Sequence, residues 1–198
     1  MRILLIALTG MLICSCSSVT HTLKYGYLPG SDFQYYAPLE KVDLKGEKYN
    51  LKIVDNRKGN SISCYDRPIP RDTELENSPG LQYFENYFKA MIEFNNGFVV
   101  PTAEKTINVQ LNAISGDIRM VLYGHVYGLV EFDVSTAGHT KEYCSEMVDG
   151  DKDAPLGAFS MDTRKGAFRK LVSGSTRRAL EQFMHDLVTY QNQKLLTE

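Results

Sequence analysis

The amino terminus constrains this chain more than any other feature. Met1-Arg2 supplies one positive charge, and Ile3 to Ile13 is an apolar run interrupted only by Thr9 and Gly10. Ile13-Cys14-Ser15-Cys16 follows. A positive start, an apolar stretch of about 7–15 residues and a small residue before a cut describe a secretory signal. A run of that length falls short of the ~20 residues that a membrane-spanning helix needs. The remainder of the chain is therefore expected to fold outside the cytoplasm. An ordinary cleaved signal or a short membrane anchor are the alternatives.

The residues around the cut narrow the choice. Aliphatic Ile13 at −3, Cys14 at −2, small Ser15 at −1 and then Cys16 resemble a bacterial lipoprotein signal, whose cysteine is acylated. Cys14 fits worse as the modified residue, because bulky Ile13 would then stand at −1. The resemblance implies removal of residues 1–15 and lipidation of Cys16. Residues 16–40, polar and dotted with Tyr25, Tyr27, Tyr35 and Tyr36, read as a tether, and residues 41–198 as a single domain. Several acyl chains on one cysteine would hold the protein durably, since each buried methylene contributes about 0.8 kcal/mol and one chain alone is marginal. Ser17, which is not aspartate, implies by the same resemblance the outer membrane, with the domain facing the periplasm.

This compartment gives the other cysteines a meaning. With Cys14 lost and Cys16 acylated, Cys64 and Cys144 remain. An isolated pair in an oxidising compartment is expected to form a disulfide; two buried thiols are the alternative. The balance of 43% hydrophobic and 23% charged residues is that of a globular domain, and a net charge of −2 offers no basic face for nucleic acid.

Periodicity places the elements. Tyr49 to Val54 is β-prone and stops at the turn formers Asp55 to Asn60. Ser78-Pro79 opens a helix, serine as cap and proline at the first position. Leu81, Phe84, Phe88, Met91, Ile92 and Asn95 then keep helical spacing, and Asn96-Gly97 closes it, glycine suiting the left-handed turn. Phe98 to Pro101 reads as a brief extended exit. Ile107, Val109, Leu111 and Ala113 alternate with polar residues, the period of a strand. Ser115-Gly116-Asp117 is the expected turn into a second strand from Ile118 to about Val134. Gly124 and Gly128 within it predict a bulge, a bend or close approach of another backbone. His139 to Val148 is a third strand of the meander. A last helix runs from about Thr163 or Lys165 to Gln193, with Phe168, Leu171, Val172, Ser175, Ala179, Phe183, Leu187 and Tyr190 along one side. The expected class is α+β, in the order β-α-β-β-β-α. It would be a two-layer sandwich of about four mainly antiparallel strands with two helices on one face.

A lipoprotein signal, a strand ending in Ile53-Val54-Asp55-Asn56-Arg57, a helix closing in Gly97-Phe98-Val99-Val100, a meander and a terminal helix together resemble two groups of envelope proteins. These are the YajG-like lipoproteins and the auxiliary lipoproteins of ABC-type lipid transport systems. The likeness runs from about residue 42 to 194 and leaves out residues 61–78 and the cysteine pair. It implies a non-enzymatic partner of a larger envelope assembly.

Motifs of chemistry are weak. Asp149, Asp151 and Asp153 have the spacing of a calcium loop, but Ala154 and Ser160 stand where glycine and glutamate are needed, so a solvated turn is expected. His21, His125, His139 and His185 make no paired-ligand spacing, and no metal or other cofactor is expected. There is no nucleophile elbow and no phosphate-binding glycine loop. Arg164, Lys165, Arg169, Lys170, Arg177 and Arg178 cluster on the last helix and its approach. They are candidate contacts for phosphate-bearing headgroups or an acidic partner, against the alternative of a solvated helix face.

Two readings follow. The first is a membrane-anchored accessory that docks on another envelope protein through a sheet edge or its aromatic tether. The second is a lipoprotein that holds a lipid or small apolar ligand between helices and sheet; a hydrolase ranks below both.

Overall fold

The computed structural model of the chain describes residues 41–58, 62–66, 80–120, 124–151 and 164–195. The expected signal, Cys16 and the tether lie outside the described residues. The elements are β1 (Lys48–Asp55), α1 (Gly80–Phe94), β2 (Phe98–Val99), β3 (Lys105–Met120), β4 (Gly124–Thr136), β5 (His139–Val148) and α2 (Arg164–Leu195). The strands form one sheet in the order β2-β1-β3-β4-β5.

The α+β class and the order of the long elements are as expected, but the sheet is five-stranded and mixed. β1 runs parallel to β2 and β3, while β3, β4 and β5 form an antiparallel meander. The extra strand is the supposed exit after α1. Phe98 donates its amide to the Glu47 carbonyl and Val100 to that of Tyr49, both at 2.8 Å. The crossover from β1 through α1 is long enough to let the returning strands lie parallel to β1, which a tight turn would not allow.

A second correction concerns the turn expected at Ser115-Gly116-Asp117. β3 runs straight through it, pairing Ser115 with Leu129, Gly116 with Gly128 and Asp117 with Tyr127. Ladder pairing overrides the local turn preference of these three residues. A bulge between Leu111 and Ala113 shifts the alternation one residue later. Ile107, Val109 and Leu111 face the helices before it, and Ile114 joins the same core after it.

Both helices cover one face of the sheet. Phe84 and Phe88 of α1 meet Phe132 of β4 at 5.1 and 6.1 Å, and Phe88 meets Phe183 of α2 at 5.3 Å. Tyr143 of β5 stacks on Phe132 at 5.4 Å. Each such ring stabilises the fold by about 1.5–3 kcal/mol through burial. At Gly128 the backbone of α2 at Leu171 and Val172 lies against β4.

α1 ends with Asn96, not Gly97, in the left-handed conformation, at φ 60°. The Gly97 amide reaches back to the Ile92 carbonyl at 2.9 Å, closing a Schellman-type end. Glycine is needed there for space: a Cβ would come within 2.8 Å of a Leu44 methyl and 2.9 Å of one on Ile92. Buried Asn95 ties the preceding segment to the helix, accepting from the Val42 amide at 2.9 Å and donating to the Met91 carbonyl at 2.8 Å.

The opposite face is only partly polar. Asn108 and Gln110 are exposed, but Ala113, Tyr127 and Leu129 are buried and pack with Cys144 and Val148. Among the described residues no helix is long and apolar enough to cross a membrane.

Candidate functional site

A cleft of about 770 Å³ opens at one end of the sheet, between the β4–β5 hairpin and the last turns of α2. Its wall is set by the two-residue turn Ala137-Gly138, both at positive φ (50° and 81°), a geometry that matches the twist of paired strands. The adjoining strand ends are tied together. Thr136 Oγ1 donates to the Thr106 carbonyl at 3.0 Å, and the Ser135 and Thr140 hydroxyls are 2.9 Å apart.

The other wall comes from α2. The Tyr190 ring lies flat on the His139 imidazole, with centroids 4.0 Å apart and planes 5° from parallel. Gln191 donates its amide to the Tyr49 hydroxyl. Burial pushes the Tyr49 phenol up to about 12, against the Gln191 hydrogen bond and with help from Glu47, so it stays neutral at ordinary pH.

Two and four residues further along β5 from His139, Lys141 Nζ and Tyr143 Oη both donate to Asp186 Oδ2, at 2.7 and 2.8 Å. Burial alone would raise the Asp186 carboxyl; the Lys141 and Tyr143 hydrogen bonds outweigh it and hold the group below the usual carboxylate range. Lys105 pairs with Glu47 at 2.7 Å at the cleft mouth. The arrangement offers an aromatic plate, fixed hydroxyls and charges of both signs on rigid elements.

The second grouping lies on the face away from the helices. The structure brings Cys64 and Cys144 together, with Cα atoms 6.6 Å apart, inside the range of about 4.4–6.8 Å that a disulfide bridges. Glu131 stands directly opposite Cys144 in the ladder, and its Oε2 accepts the Cys64 amide at 2.9 Å. Burial raises the Glu131 carboxyl above its ordinary value, partly offset by that amide.

Comparisons with known proteins add little. No family model matches the chain, and no curated protein matches it. One similar solved structure, an uncharacterized protein, has 12% identity and a TM-score of 0.39 over 77% of this chain and 97% of the other. Another, from Xanthomonas campestris and the DUF330 family, has 11% identity and a TM-score of 0.39 over 81% of this chain and 98% of the other. Likenesses at this level identify no family.

The basic cluster is not a surface patch throughout. Arg177 is 1% exposed and paired with Glu181 at 2.8 Å, which corrects its expected role as a headgroup or partner contact. Arg178 reaches the Glu146 carbonyl at 3.2 Å, and Lys170 is half-buried. The side chains of Arg164, Lys165 and Arg169 lie outside the described residues. Asp149 and Asp151 act locally, accepting the Val126 and Val148 amides at 3.0 and 2.9 Å. His139 and Tyr190 were not legible as a pair, because they come from a hairpin end and a distant helix.

Proposed function

We propose that this chain is a lipid-anchored envelope protein that works by binding: its domain seats a segment of a protein partner in the cleft between the β4–β5 hairpin and the end of α2. The observation that carries this reading is the cleft itself, about 770 Å³ and walled by the His139–Tyr190 plate. Recognition sites are commonly mixed surfaces in which aromatic anchors sit among hydrogen-bonding groups. The lipoprotein-like signal ending at Cys16 supports export and anchoring, with the outer membrane and a periplasm-facing domain favoured by Ser17. The paired Cys64 and Cys144 fit a disulfide in that compartment. The resemblance to YajG-like and transport-auxiliary lipoproteins agrees with an accessory role in an envelope assembly. A net charge of −2 favours no nucleic-acid partner.

The test is a photo-crosslinking amino acid placed at position 139, compared with one at Gln82, which is exposed in the first turn of α1 and does not line the cleft. In intact membranes the probe at 139 should yield a discrete protein adduct that the probe at 82 does not. Equal adducts from both positions, or none from 139, would contradict the cleft as the docking place.

The cleft volume also falls in the range of small-ligand pockets, about 300–1,000 Å³. A lipid or small molecule held there is the second reading, since the helix–sheet interior is occupied by the aromatic core. Native mass spectrometry of protein from its own membrane separates the two: a reproducible non-protein adduct would favour the ligand.

A further inference from the structure

The meander places two unusual cross-strand pairs next to each other. Glu131 stands opposite Cys144, and Asp133 opposite Glu142. All four side chains point away from the helices, because the intervening Phe132 and Tyr143 point towards them. Two carboxylates directly opposite in a ladder repel, which costs the sheet stability. The turn at residues 62–66, closed by the Asp66 amide on the Ser63 carbonyl at 2.9 Å, delivers Cys64 onto the same spot. The two sulfurs and a Glu131 carboxylate oxygen all lie within 4.8 Å of one another.

We propose that the reduced form of this cluster is a binding site for a thiophilic divalent cation of the zinc class, held by Cys64, Cys144 and Glu131. Two thiolates and one carboxylate are a donor set that zinc accepts, at about 2.3 Å to sulfur and about 2.0–2.2 Å to oxygen. Sulfurs sharing one such ion sit roughly 3.8 Å apart by tetrahedral geometry, a separation that the 6.6 Å between the Cα atoms allows. The apolar neighbours Ala113, Tyr127, Leu129 and Val148 shield one side, while Asp133 and Glu142 add negative potential that a cation relieves. Three protein ligands leave a fourth position for water or a partner's side chain.

Reduction and binding balance as two steps. A dithiol gives two electrons and two protons to the Cys64–Cys144 bond and becomes a disulfide itself. The cation then displaces the two thiol protons. Oxidation reverses this and expels the ion, so the site exchanges a covalent pin for a metal.

The experiment is a Co²⁺ titration of the full chain in detergent, oxidised and reduced, followed by absorbance and with Zn²⁺ as competitor. The reduced chain should take up one equivalent with thiolate-to-cobalt charge transfer, and Zn²⁺ should bleach it; the oxidised chain should take up none. Glu131→Gln should weaken binding by at least the ~10-fold that loss of even an outer-shell partner costs. Equal uptake by the oxidised chain, no charge transfer on reduction, or unchanged affinity in E131Q would each overturn the proposal. If reduction alone unfolds the domain, the reading becomes refolding: Zn²⁺ should restore the circular dichroism spectrum, and failure to do so overturns it equally.

Discussion

Gly128 on β4 lies directly under the peptide that joins Leu171 to Val172 on α2: a Cβ at position 128 would stand 2.2 Å from the Val172 nitrogen and 2.3 Å from the Leu171 carbonyl carbon. Both clashing atoms are backbone, so no rotamer change relieves them. Gly128 thus sets how closely the helix approaches the sheet. Gly128→Ala should push α2 outward and cost about 1–3 kcal/mol, or more, as overpacking does. Thermal unfolding reads this directly; an unchanged midpoint would mean that the helix sits further from the sheet than described.

Asn95 makes a different kind of prediction. Its side chain is 1% exposed and satisfies both the Val42 amide and the Met91 carbonyl. Asn95→Ala leaves the Val42 amide without that acceptor, and such losses cost about 1–3 kcal/mol. Hydrogen exchange should show Val42 losing protection well before the β3–β4 amides do.

The Lys141–Asp186–Tyr143 cluster predicts a pH dependence. Asp186 titrates below the ordinary carboxylate value when folded, and in the unfolded chain it returns to about 3.9. Its contribution is therefore present above that value and lost as the pH falls through the folded one. Asp186→Asn should flatten the loss of stability below about pH 4. Glu131, raised by burial, acts with the opposite sign and is untouched by this substitution. Urea midpoints measured from about pH 5 downward decide the matter; parallel curves for the two proteins would count against the cluster.

For the cysteine pair, a sequence separation of 80 residues makes the cross-link a strong restraint on the unfolded chain. The double substitution Cys64→Ser with Cys144→Ser should lower stability by about 2–4 kcal/mol. Denaturant melts of exported wild type should shift by a similar amount on adding reductant, while the double variant should not respond.

The sequence was legible where one periodicity dominated. α1 shows its apolar stripe plainly, and Phe84, Phe88, Phe183 and Leu187 are buried as their spacing requires. β5 starts and ends where the pattern places it. What escaped were features fixed by partners distant in sequence. Phe98-Val99 is too short to announce itself as a strand and becomes one only beside β1. Ser115-Gly116-Asp117 carries turn chemistry, yet Gly116 pairs with Gly128 beneath α2. Arg177 looks like any surface arginine until the burial of the helix around it is known. The site was harder still. The meeting of His139 with Tyr190, and of Glu131 with Cys144, depends on strand register and helix placement, which no local pattern encodes.

Intact-mass analysis of the membrane-extracted protein, reduced and unreduced, tests whether this is an anchored domain outside the cytoplasm. The expected mass is that of residues 16–198 plus acyl chains, with Cys64 and Cys144 unreactive to alkylation until reductant is added. An unmodified full-length chain with both thiols free would contradict it.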